Sequence, residues 1–122
     1  VDAAASVGHF PVLPHELKVG SAYYQVMFAD RELTVPSVEA LIYVGVNVFD
    51  SDVYASGPMH TFQDTVSYFR FGLFTEYEGS EDLQEEGLVT YSFTLDQLQD
   101  LTDLAGAADT LFDALERTLG KT

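Results

Sequence analysis

The chain has no cysteine in 122 residues, which excludes disulfide frameworks, thiolate metal sites and thiol catalysis while assigning no compartment. Basic residues are nearly as scarce. Five Lys and Arg stand against 20 Asp and Glu, a formal net charge of -15, and Lys18, Arg31, Arg70, Arg117 and Lys121 are scattered along the chain. A phosphate backbone or an anionic membrane surface would be repelled, so nucleic acid and membrane are not the expected partners. No apolar run approaches the roughly 20 residues needed to span a bilayer. Gly-x-Ser-x-Gly elbows, phosphate-cradling glycine loops and the dinucleotide fingerprint are also missing.

The apolar content is ample. A hydrophobic fraction of 47% and an aromatic fraction of 13%, all Phe and Tyr, supply a core at a length typical of one domain. Residues 1–8, small and weakly patterned, read as a flexible leader or a remnant of processing or cloning, which leaves 9–122 as a single domain. Localisation is not encoded; the reading leans slightly to the cytoplasm.

Val38, Ala40, Ile42, Val44, Val46 and Val48 give one face of a strand without a polar side chain, and the alternate residues are mixed, which predicts a central strand over 38–49. Residues 21–28 alternate similarly. With a polar turn at Asp30-Arg31-Glu32, residues 21–49 read as an antiparallel hairpin, and Pro36-Ser37 marks an expected bulge or edge position. Pro11 and Pro14 make the preceding arm an extended surface segment.

Asp64 and Gly72 are spaced as the two caps of a short helix over 65–71, with a strand at 59–62 before it and extended chain over 73–77 after it. One long bent strand is the alternative. Glu76 to Glu86 carries six acids and no base and should be a solvated loop, followed by a strand over 88–94. Thr94 and Gln97 then form a capping-box pattern, and Leu95, Leu98, Leu101, Leu104, Ala108, Leu111, Phe112, Leu115 and Leu119 make an apolar stripe. A helix over 95–119 follows, with a break into two near 104–107 allowed by Gly106. The fold expected is α+β: a mostly antiparallel sheet of four to five strands, with the C-terminal helix or helix pair packed on one face through its leucines.

Candidate chemistry is thin. His9, His15 and His60 show no metal-ligand spacing, and Asp50-Ser51-Asp52 begins like a calcium loop but continues with Tyr54, Ala55 and Thr61 where ligands and a glycine belong. No catalytic residue, metal site or cofactor is expected. Glu39, at the start of an otherwise apolar strand, is the carboxylate to inspect for burial; its plainer reading is an exposed strand-end acid.

The aromatic density from Tyr54 to Tyr77 is more informative, because it exceeds what one strand face needs. Aromatic anchors beside an acidic rim are the chemistry of a protein-binding patch, and Phe62, Tyr68 and Phe71 with Glu76, Glu78, Glu81 and Asp82 are its candidate members. The simpler account is that these rings close the core. The functional expectation is a non-catalytic module that engages a basic protein, inhibitor- or immunity-like. The alternative is a small enzyme or ligand-binding domain with a pocket between sheet and helix, using Glu39, His60 or Asp64. The acidic surface also suits solubility alone or a salty habitat.

Overall fold

Residues 12–77 and 82–120 are described by the computed structural model. A five-stranded antiparallel sheet carries two α-helices on one face, so the chain is α+β. The strands are β1 (Ala22–Phe28), β2 (Pro36–Val46), β3 (His60–Asp64), β4 (Thr90–Phe93) and β5 (Leu101–Thr102), in the order β4-β3-β2-β1-β5. Helix α1 is Thr65–Phe71 and helix α2 is Leu104–Gly120.

β2 is central, as its apolar alternation predicts, and it pairs with β1 from Ala22↔Ile42 to Phe28↔Pro36. The connecting turn is held by Asp30, whose carboxylate accepts the Thr34 hydroxyl and the N–H groups of Thr34 and Val35 at 3.0 and 2.9 Å. Of the bulge or edge position expected at Pro36-Ser37, the edge position is what is found. Both residues sit in continuous register with β1, and β3 reaches β2 only from Leu41 onward, so the missing proline N–H faces no partner strand. The irregularity falls instead at Val44, where the pairing with β3 shifts between Tyr43 and Gly45.

The sheet buries both faces. On the first, Tyr23, Leu41, Tyr43 and Phe62 pack with Val12 from the N-terminal arm, Leu98 and Leu101. On the second, Val44 packs with Phe74, Leu83 and Leu88. Gln63 pairs with Ile42 and so points to this second face, where it bonds α1, and Phe28, on the same face, lies beneath Arg117 of α2. Both helices therefore lie on one side of the sheet.

The C-terminal segment departs from expectation. The capping box forms, with Thr94 N–H on Gln97 Oε1 at 2.8 Å and Gln97 N–H on Thr94 Oγ1 at 3.3 Å, but it opens only a 3-10 turn over Gln97–Asp100. Leu98 and Leu101 are drawn into the first-face core, and Leu101-Thr102 pairs with β1 as an edge strand. Strand pairing and burial outweigh the local helical preference. Helix α2 starts afresh at Leu104, where Asp103 accepts the Gly106 N–H at 2.8 Å. Its buried residues are Gly106, Ala107 and Ala114, whereas Leu104, Leu115 and Leu119 are half exposed or more.

Candidate functional site

Helix α1 is too short to be stable alone, and the polar contacts of Asp64 and Gln63 fix it. The Asp64 carboxylate caps it by accepting the Ser67 N–H at 2.9 Å and the Ser67 hydroxyl. The same carboxylate accepts the Val89 N–H at 2.9 Å, and the Asp64 N–H donates to the Val89 carbonyl at 3.0 Å, tying the helix start to the chain entering β4. Burial works against this carboxylate's charge, but the bonds from Ser67 and Val89 outweigh it and hold its pKa below the ordinary carboxylate value. Gln63 secures the other side. Buried in β3, it donates to Ser67 Oγ at 2.9 Å and to the Gly72 carbonyl at 3.0 Å, and its Oε1 accepts the Phe74 N–H at 2.9 Å. Gly72, with φ of 81°, turns the chain out of the helix in a conformation that favours glycine.

At about 100° per residue, this anchoring turns Ser67, Tyr68 and Phe71 inward and Val66, Phe69 and Arg70 outward. Val66 is 68% exposed and Phe69 79% exposed. Tyr68 is half-buried, its ring edge-on to Phe69 at 5.3 Å, and Phe71 is half-buried against Tyr77 at 5.4 Å. Arg70 does not offer a free charge. Its guanidinium lies 4.7 Å above the Phe71 ring, donates to the Glu86 carbonyl at 3.1 Å and sits 3.6 Å from the Glu86 carboxylate. Glu76, Asp82 and Glu85 are exposed.

The residues singled out by sequence therefore divide. Tyr68 and Phe71 belong to α1, Glu76 ends the 3-10 turn Phe74–Glu76, and Asp82 is exposed beside the buried Leu83; Glu78 and Glu81 lie outside the described residues. Phe62 is elsewhere, fully buried between Tyr23, Tyr43 and Phe93. The extended chain expected over 73–77 is instead a 3-10 turn at Phe74–Glu76, because the Phe74 N–H is turned inward onto Gln63 and its ring stacks on Phe49 at 5.7 Å. Sequence reasoning passed over Val66, Phe69 and Glu85 as site members. For Val66 and Phe69 the signal was the helical wheel, legible once Ser67 is placed against the buried Gln63; Glu85, in the turn before β4, had none beyond the run of acids.

The polar groups considered for a pocket are each engaged. Glu39 is exposed and accepts the Tyr91 hydroxyl at 3.0 Å; burial first, and then this contact, pushes the Tyr91 pKa up. His60 is buried 2.9 Å from the Tyr43 hydroxyl, and burial pushes its pKa down. Two surface clefts of about 460 Å³ are lined by Ala55 to Met59 with Thr94 to Asp96, and by Gln25 to Met27 with Gln99 and Asp100. Neither includes Glu39, His60 or Asp64. Among the described residues no three His, Asp or Glu side chains group as a metal site, and no helix is long and apolar enough to cross a membrane.

Helix α1 thus presents Val66 and Phe69 to solvent from a fixed position, and among the described residues the acids in contact with it are Asp64, at its cap, and Glu86, at Arg70. Comparison with protein-family models, with curated proteins and with solved structures returns no match, so the reading of this site rests on its own geometry and charge.

Proposed function

We propose that this domain is a non-catalytic binding module that engages a basic protein through helix α1, in the manner of a small inhibitor or immunity protein. One observation carries the reading: Val66 and Phe69 project into solvent from a helix fixed by Asp64 and Gln63, where the adjoining base, Arg70, is already engaged by Glu86. A pre-ordered aromatic anchor loses little entropy on binding. The carboxylates of Glu76, Asp82 and Glu85 supply a steering rim for Lys and Arg on the partner, and a total charge of -15 extends that attraction. The pocket alternative has weaker support, since Glu39, His60 and Asp64 are occupied by Tyr91, Tyr43 and the Ser67–Val89 pair.

The test is affinity capture at low salt with elution by a salt step, run in parallel on the wild type and on a Val66→Ser, Phe69→Ser variant. The expected result is one basic protein, released stoichiometrically from the wild type and not retained by the variant. Equal retention by both, or diffuse background alone, overturns the proposal.

A further inference from the structure

Helix α2 carries an apolar face that the sheet does not use. Leu104, Leu111, Phe112 and Leu115 fall, with Ala108, within about 100° of arc at 100° per residue. Gly106, Ala107 and Ala114, which are buried, occupy the adjoining arc, and Leu111, at the edge nearest them, is 38% exposed. Leu104 is 65%, Phe112 59% and Leu115 50% exposed. A row of large apolar side chains aimed at solvent, on a helix whose buried residues are Gly and Ala, is the reverse of what folding alone requires.

Charge selects the occupant. Asp109 and Glu116 border the row and are exposed, while Arg117 of the same helix is turned away, its Nε donating to the Leu33 carbonyl at 2.8 Å and its guanidinium 5.7 Å from the Phe28 ring. A second copy would bring another net charge of -15. In an antiparallel two-fold pair, moreover, equivalent flanks face each other, so the acidic border would meet itself. A segment with its own apolar row and Lys or Arg beside it meets attraction at both levels.

We infer that the outward face of α2 is a second docking surface, separate from α1, and that its occupant is an amphipathic basic segment of a protein partner. Leu111, Phe112 and Leu115 bury its apolar side, and Asp109 and Glu116 pair with its cations. Neither Val66 nor Phe69 takes part, so this surface stands or falls independently of α1.

The probe is a synthetic Leu/Lys peptide of about 18 residues with helical periodicity, compared with a Leu/Glu peptide of the same pattern. Binding is measured by titration calorimetry on the wild type, on a Phe112→Gln, Leu115→Gln variant, and on Phe69→Ser, each first shown folded by circular dichroism. The Leu/Lys peptide should bind the wild type and the Phe69→Ser variant alike, and bind the α2 variant at least ten-fold more weakly, although its charge is unchanged. The Leu/Glu peptide should not bind. Equal affinity for wild type and α2 variant would mean charge attraction alone and overturns the inference, as does no binding. Sedimentation showing a dimer that the α2 variant abolishes would assign the face to a second copy and overturns it also.

Discussion

The hydroxyl of Tyr43 and the Nδ1 of His60 lie 2.9 Å apart in the first-face core, between adjacent strands β2 and β3. A neutral imidazole can accept the phenol proton or donate to the phenol oxygen; a protonated one can only donate, and it places a charge against the Tyr43 ring at a buried position paired with Phe93 across the strands. His60 thus makes stability depend on pH. Its folded pKa lies below the ordinary 6.5 because of burial, so the unfolded chain takes up a proton first as pH falls. The contribution is complete above about 6.5 and is lost as pH drops from there through the folded value. Thermal melts between pH 8 and pH 5 should show a decline in Tm that a His60→Gln variant lacks. Parallel pH profiles in the two proteins would remove His60 as the cause.

Asp64 has the opposite chemistry and the same direction. Its carboxylate is stabilised in the fold by Ser67 and Val89, so its contribution is present above its ordinary 3.8 and is lost as pH falls through its lower folded value. Replacing it with Ala removes the cap of α1 and the tie to the start of β4. A loss of about 1–2 kcal/mol is expected at neutral pH from urea unfolding, with Asp64→Asn losing less because its amide oxygen still caps. Equal stability of Asp64→Ala and wild type would show that Gln63 alone holds the helix.

Thr102 offers a gain. Its hydroxyl oxygen is buried without a hydrogen-bond partner among the described residues, in the two-residue strand β5. A buried unsatisfied hydroxyl costs about 1–3 kcal/mol, whereas Val keeps the shape and suits an edge strand. Thr102→Val should leave Tm unchanged or raise it. A drop in Tm beyond the error of the melt would show that the hydroxyl is satisfied after all.

The alternation of β2 and β1, and the Asp64 and Gly72 caps of α1, were legible because each is a local signal that the tertiary structure reinforces. The segment after Thr94 was not, because three demands meet there. A capping box favours helix, the open edge of β1 takes a strand, and the first-face core draws in Leu98 and Leu101. The surface proposed at α1 follows from the sequence only in part: aromatic density points to the segment, but which rings face outward depends on the Gln63–Ser67 contact, a pairing between β3 and α1 that composition does not reveal.

Helix α2 shows the same limit most clearly, and it yields a paired prediction. Its leucine periodicity implies that the leucines meet the sheet, yet Ala114 is buried while Leu115 is half exposed. An enlarged side chain at Ala114 must push α2 off the sheet, whereas Leu115 can become polar without exposing any core. Ala114→Leu should destabilise the domain by about 1–3 kcal/mol, the usual cost of overpacking. Leu115→Gln should change stability by no more than about 0.5 kcal/mol, because Gln is nearly as good a helix former and the site is on the surface. Urea midpoints of the two variants decide it. The reverse ranking would mean that α2 meets the sheet through its leucines, and would take with it the docking surface assigned to its outward face.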